Sequence, residues 1–393
     1  MADQQWPGAR SSRRSAALVI LGALLPLALS TVPPAAAATS PPQGGAAAVL
    51  GRMTLPQRVG QLFMVGTPAT AASSSTLSAV RLRHIGNVML TGRSSSGTVH
   101  TRTVSDALQA QVSTATTYGV PLFVATDQEG GRVQVLSGPG FSNIPSALTQ
   151  GGWSTTLLRS AARTWGRQLR AAGVNLDLAP VVDTVPSAAA ARTNPPIGWY
   201  DREFGYTTAT VSSHGTAFAQ GLADAGLAAT VKHFPGLGRV TANTDTTSGV
   251  TDRVTVRHDA YLTPFTAGTS SGAQLVMVST AIYSRIDASR PAAFSGTVIR
   301  TLLRGDLRFT RVVISDDLGK AKQVAAWTPA HRAVIFIQAG GDLVLTVNPT
   351  LLPQMYDAVL ARAKVDATFR YQVNAAALRV LTAKQHQGLI PSP

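Results

Sequence analysis

The sequence predicts an α/β fold, a single-domain (β/α)8 TIM barrel. Three observations predict it. Eight short apolar runs recur between residue 49 and the end of the 393-residue chain, at 61–66, 85–90, 122–127, 174–180, 228–234, 275–281, 312–316 and 342–347. Amphipathic stretches fall between them, which is the pattern of a parallel sheet buried on both faces beneath covering helices. The residues able to do chemistry, Asp127, Asp177, Lys232, His233, Ser279 and Asp316, collect at the C-terminal ends of those runs. A barrel brings those ends together on one face. An open doubly wound sheet is the alternative, weakened by the lack of a glycine-rich turn after the first run.

In chain order, residues 1–38 read as an export signal. Arg10, Arg13 and Arg14 form a basic start, an apolar run covers 18–29, and Ala36, Ala37 and Ala38 offer a small-residue cleavage site. The run is too short to span a membrane comfortably, so no stable span is expected once the signal is removed. An uncleaved anchor is the alternative. The pair Arg13-Arg14 is an incomplete version of a twin-arginine signal. Residues 39–48, with Pro41, Pro42, Gly44 and Gly45, read as a flexible linker, and 49–393 as the barrel domain. Helices are expected at 104–117, 155–172, 211–225, 295–303, 329–339 and 352–363. The clearest is 155–172, where Leu157, Leu158, Ala161, Trp165 and Leu169 approach helical spacing and Gly173 follows as a stop. Two terminal helices account for the residues after Val347.

Composition narrows the function. Hydrophobic residues make up 45% of the chain, enough for a large core. The absence of cysteine excludes disulfides, thiolate metal sites and a cysteine nucleophile. The formal charge of +15 is scattered, with no nucleic-acid motif beside it, so a polyanionic surface such as a bacterial wall is an equally physical partner. The 7 histidines are dispersed, which gives no support for a metal, and no cofactor is expected. Glutamate occurs only at Glu129 and Glu203, so acid chemistry must rest mainly on aspartates. Oligomeric state leaves no mark in the sequence.

The segment Thr230-Val-Lys-His-Phe-Pro-Gly-Leu-Gly238 is the most informative. An apolar strand is interrupted by a cation and an imidazole, then turned by Pro235, Gly236 and Gly238. That suits a barrel rim facing a substrate; a buried strand that merely reaches solvent is the blander reading. Asp177 reads equally as an internal carboxylate paired with an arginine or as a direct ligand. Asp317, beside Asp316, is expected to point to the other face of its strand and to be structural.

Several motifs, in this order, resemble the β-N-acetylhexosaminidase branch of glycoside hydrolase family 3. They are Val59-Gly-Gln-Leu-Phe-Met-Val-Gly66, Ala125-Thr-Asp-Gln-Glu-Gly-Gly-Arg-Val-Gln134, Gly173-Val-Asn-Leu-Asp-Leu-Ala-Pro-Val-Val-Asp183, Arg202-Glu-Phe-Gly205, Lys232-His-Phe-Pro-Gly-Leu-Gly238, Val276-Met-Val-Ser279 and Val313-Ile-Ser-Asp-Asp-Leu318. The resemblance implies a TIM barrel that removes terminal β-linked sugars with retention, on a carbohydrate substrate that includes peptidoglycan fragments. It puts Asp316 at the nucleophile position, where a carboxylate attacks the anomeric carbon. Asp127, Arg202, Lys232 and His233 match positions that hold sugar hydroxyls, and Arg132 is expected to brace the site from behind. With the export signal, the resemblance implies a secreted, extracellular or wall-associated protein.

The chain departs from this pattern in one loop. The branch carries Asp-Ser/Thr-His there, the histidine serving as acid/base; this chain reads Asn243-Thr244-Asp245. Leu237 also replaces a usual histidine, and Val135 a common substrate-binding arginine. Asp245 could protonate the leaving oxygen and then activate water, if its surroundings keep it protonated, with Asn243 as its partner. Otherwise Asp245 only caps the loop, and the barrel is a sugar-binding protein without turnover. β-Glucosidase-type specificity, and a Schiff-base lyase built on Lys232, are the remaining alternatives.

Overall fold

Eight parallel strands form in the computed structural model, which describes residues 44–392. They are β1 (Phe63–Pro68), β2 (Asn87–Thr91), β3 (Phe123–Thr126), β4 (Leu176–Asp177), β5 (Ala228–Phe234), β6 (Leu275–Val278), β7 (Val312–Ser315) and β8 (Val344–Thr346). Each strand pairs with its neighbour in sequence, with registers such as Val65↔Val88 and Val231↔Val276. β8 returns to β1 through Phe63↔Val344, and the bridge Ile314↔Leu343 links β7 to the start of β8. The ring is therefore the expected barrel rather than an open sheet.

The periodicity has a direct physical outcome. Alternate strand residues point inward, so Met64, Phe123, Leu176, Met277, Ile314 and Leu345 fill the barrel interior. The residues between them face the helical layer, where Val65, Val124, Val231 and Val313 join the larger core. The helix Thr155–Ala171 starts where Ser154 accepts a hydrogen bond from the Leu157 amide, and it buries Leu158, Trp165 and Leu169. The helices Thr208–Asp224, Pro329–Ala339 and Leu352–Val365 follow the expected positions.

Several boundaries differ from expectation. The run at 174–180 supplies only two residues of β4, because the cis-linked Pro180 has no amide to donate to a ladder. The helix expected at 104–117 runs instead over Gly97–Gln109 and ends before a separate turn, Thr114–Thr117. The stretch expected at 295–303 winds as a π-helix over Thr297–Asp306. The expected linker ends early: Gly45–Arg52 is helical, and its Ala46 and Val49, with Met53 just after it, pack with Leu381 and Ile390 near the C-terminus. The expected export signal lies outside the described residues. Among the described residues, no helix is long and apolar enough to cross a membrane.

Candidate active site

The C-terminal ends of the strands open into a cavity of about 350 Å³. Met89, Leu178, Met277 and Leu345 form its apolar floor, and Asp127, Arg202, Lys232, His233, Asn243, Asp245 and Asp316 its polar walls. The sequence-predicted residues are thus brought together, apart from Arg132, Asp177 and Ser279. Asp127 follows β3 and Asp316 follows β7, while Lys232 and His233 come from the end of β5. After them the chain turns sharply: Gly236 has φ +129°, and a Cβ on Gly238 would collide with the Thr184 carbonyl.

Lys232 is buried, and its Nζ donates to Asp127 Oδ1 at 2.6 Å and lies 2.6 Å from Glu129 Oε1. Burial opposes its charge, but Asp127 and Glu129 outweigh that, and its pKa rises above the usual lysine value. Lys232 is therefore a charged hydrogen-bond donor, which argues against a Schiff-base nucleophile. Glu129 also takes a two-point grip from Arg202, with Nε to Oε2 at 2.8 Å and Nη2 to Oε1 at 2.7 Å. Burial alone would raise its pKa, yet Arg202 and Lys232 bring it down to about 2. The same pairing outweighs burial at Arg202 and raises its pKa.

His233 is held from the opposite side. Its Nδ1 lies 2.7 Å from Asp183 Oδ2, and its backbone amide donates to Asp183 Oδ1 at 3.1 Å. Asp183 also accepts the Leu237 amide at 2.8 Å, so one fully buried carboxylate fixes both the ring and the turn after it. With Nδ1–H given to Asp183, Nε2 faces Arg202 Nη2 at 3.4 Å. Glu129 and Asp183 were not singled out from the sequence, although both lie in the quoted motifs. The available signal was demand: two buried cations need more than Asp127, and a site histidine needs a partner for its second nitrogen.

Asp177 is buried and pairs with no arginine among the described residues. Its Oδ1 accepts the Gln128 amide at 3.0 Å, anchoring the backbone between Asp127 and Glu129. Burial pushes its pKa up to about 8. Arg132 does not brace the site from behind. Its side chain is solvent-exposed, its guanidinium lies 5.9 Å from the Tyr200 ring centre, and it lines an adjoining cavity. Asp317 does not turn away from Asp316 as expected but lines the same cavity; it accepts the amides of Gly319, Lys320 and Val347 and so shapes the loop, the structural part of the expectation.

The loop after β5 carries Asp245. As a whole this residue is exposed, yet it lines the cavity wall, where desolvation and the Asp316 carboxylate push its pKa up to about 6. Asn243 does not hold that carboxyl; its Oδ1 accepts the Asp245 backbone amide at 2.8 Å. The loop is stitched to the segment after Asp316, where Lys322 and Gln323 amides donate to the Asp245 and Thr244 carbonyls at 3.1 and 3.0 Å. Among the described residues, no group of three or more His, Asp or Glu side chains could hold a metal ion.

Comparison with known proteins agrees with this geometry. Residues 54–383 match the family model "Glycosyl hydrolase family 3 N terminal domain". A β-hexosaminidase of Xanthomonas euvesicatoria pv. vesicatoria is 32% identical over 310 residues, covering 77% of this chain and 88% of the relative. The crystal structure of a β-N-acetylhexosaminidase from Beutenbergia cavernae superposes with a TM-score of 0.84 at 53% identity, over 85% of this chain and 99% of that one. A family 3 β-N-acetylglucosaminidase from a Paenibacillus species gives 0.78 at 30% identity, over 86% of this chain and 63% of its own. A barrel whose rim gathers carboxylates, an arginine, a lysine and a histidine in one sugar-sized cavity, matched along almost its whole described length, belongs to glycoside hydrolase family 3, as a β-N-acetylhexosaminidase-like member.

Proposed function

We propose that the protein is an exported, retaining exo-glycosidase that removes terminal β-linked N-acetylhexosamine through a glycosyl ester on Asp316. The observation that carries this reading is that Asp316 and Asp245 line one cavity with Asp127, Arg202, Lys232 and His233. In the first step, the Asp316 carboxylate attacks the anomeric carbon while Asp245, in its acid form, protonates the departing oxygen. In the second, Asp245 takes a proton from water, whose oxygen displaces Asp316 and releases the sugar. Lys232 and Arg202 donate to sugar hydroxyls, and Asp127 and His233 Nε2 accept from them. Residues 1–38 support delivery outside the cell or to its wall.

A second reading has one observation in its favour. Asn243 caps the Asp245 backbone rather than orienting its carboxyl, as a loop-forming residue would do without catalysis. Chromogenic β-glycosides tested on wild type, Asp316→Asn and Asp245→Asn separate the two. Asp316→Asn is expected to abolish turnover. Asp245→Asn is expected to lose ~10²–10⁴-fold on poor leaving groups, which need the acid, while on activated leaving groups, where breakdown of the ester is slow, azide is expected to restore turnover because it needs no base to attack. Undiminished turnover in Asp316→Asn sinks the nucleophile assignment; sugar binding without any turnover in wild type establishes the second.

A further inference from the structure

The glycosidase chemistry makes no use of Asp177, yet this residue touches the backbone of the sugar-binding wall. It is buried at the end of β4, and its Oδ1 accepts the Gln128 amide at 3.0 Å. Gln128 stands between Asp127 and Glu129, and its side chain exchanges hydrogen bonds with the Leu136 amide and carbonyl at 3.0 and 2.7 Å. One carboxyl therefore fixes the segment from which two site carboxylates project. The charges around it are already matched. Lys232, on β5, lies 2.6 Å from both Asp127 and Glu129, and Arg202 lies 2.7 Å from Glu129. Two cations thus meet two carboxylates, and a third carboxylate is surplus. Asp177 forms no ion pair among the described residues, and its buried Oδ2 has no hydrogen-bond partner among them. Lys232, Asp127 and Glu129 are the charged groups that face it. An ionised carboxylate placed there, with one amide donor and two like charges beside it, costs far more than its acid form. Burial, the largest cause, accordingly pushes its pKa up to about 8.

We propose that Asp177 works as a neutral acid, a positioning residue that holds the Asp127–Glu129 segment for sugar binding without adding charge to it. The proposal rests on the glycosidase reading and adds a residue to it. When the proton leaves, a third negative charge joins two cations. Lys232 is drawn toward Asp177, and Asp127 and Glu129 are pushed away from it. The grip on the sugar hydroxyls therefore loosens on the alkaline side, with KM carrying the loss.

Asp177→Asn copies the acid form, because it keeps an oxygen for the Gln128 amide and cannot ionise. The substrate is 2,4-dinitrophenyl N-acetyl-β-glucosaminide, whose leaving group needs no proton, so kcat/KM does not depend on the acid form of Asp245. In wild type, kcat/KM is expected to hold near pH 7 and to fall about tenfold by pH 9 as KM rises. Asp177→Asn is expected to match wild type within about twofold at pH 7 and to stay level to pH 9. A wild-type profile level to pH 9, an alkaline fall that the variant shares, or a loss of about tenfold or more in the variant at pH 7 overturns the proposal. A second measurement needs no turnover. In carbon-13 NMR of protein labelled at the aspartate carboxyl carbon, one resonance is expected to titrate above pH 7 in wild type and to be missing from Asp177→Asn. If the variant does not fold, wild type decides: no aspartate titrating above pH 7 overturns the proposal. If wild type turns over no glycoside, the glycosidase reading falls by itself. The Kd of N-acetylglucosamine by calorimetry then replaces kcat/KM, and equal values at pH 7 and 9 overturn the proposal.

Discussion

Glu129 carries more of the site than any residue the sequence singled out. It is the shared counter-charge of Arg202 and Lys232, both drawn out of water by the barrel rim. Its pKa of about 2 lies below its ordinary 4.5, so its contribution to stability is complete above 4.5 and is lost as pH falls toward 2. Glu129→Gln leaves Lys232 with Asp127 alone and Arg202 with no carboxylate, and is expected to destabilise by ~3 kcal/mol at pH 7. Urea midpoints should show that gap, and show it narrowing below pH 4.5; equal midpoints at pH 7 refute it. Asp245 is the opposite case, with its pKa raised to about 6. Its acid form exists below that value, so kcat/KM on poor leaving groups should fall about tenfold per unit as pH rises past 6. Asp245→Asn should remove this limb, and a wild-type profile flat from pH 5 to 8 would detach Asp245 from acid catalysis. Asp127, Lys232 and Asp316 were legible because a charged residue at the end of an apolar run is conspicuous. Glu129 and Asp183 were not, because their roles depend on partners 73 and 50 positions away, which spacing alone does not expose.

At the scale of elements, all eight strands and the long helices could be read, since burial on two faces leaves continuous apolar runs and burial on one leaves helical periodicity. The helix Ser74–Arg83 escaped, because its sequence SSTLSAVRLR has hardly any apolar stripe. So did the three-stranded sheet of Thr251–Asp252, Ile282–Tyr283 and Asp287–Pro291, whose strands are too short to set up a period. That sheet borders the loop that carries Asp245. Gln323 clamps the loop where it ends, accepting the Val250 amide at 2.8 Å and donating to the Val250 carbonyl at 3.2 Å, while its own amide holds Thr244. If Asp245 is the acid, Gln323 positions it without touching sugar. Gln323→Ala is then expected to lower kcat by roughly 10–100-fold with little change in KM, because small displacements of a reacting group are costly. The loss should be larger for poor leaving groups, which need protonation, than for 4-nitrophenyl glycosides. Equal losses on both would mean the clamp serves folding alone.

The whole molecule places its chemistry at one mouth of the barrel and closes the other with its own C-terminal helix, Ala367–His386. Val380 and Ala383 cap the interior core, and the same helix packs Leu381 against Val49 near the start of the described chain. Lys384 is fully buried in this floor, its Nζ donating to Gln61 Oε1 at 2.9 Å and to the Gly86 carbonyl at 2.8 Å, at the entries to β1 and β2. The Phe123 ring lies 5.6 Å away, and no carboxylate pairs with the ammonium among the described residues. Burial lowers its pKa well below the ordinary lysine value. The unfolded chain therefore holds the proton more tightly than the fold, and this lysine costs stability at neutral pH, a cost that fades as pH climbs toward 10.5. Methionine has a similar length and carries no charge. Lys384→Met gives up two hydrogen bonds but also the buried ammonium, an exchange that is often neutral or favourable. The variant is expected to have the higher Tm relative to wild type at pH 7 than at pH 9.5, with activity at the distant mouth retained. A difference in Tm that stays constant between the two pH values would show that Lys384 holds the same proton folded and unfolded, and that the floor is bound by those two hydrogen bonds alone.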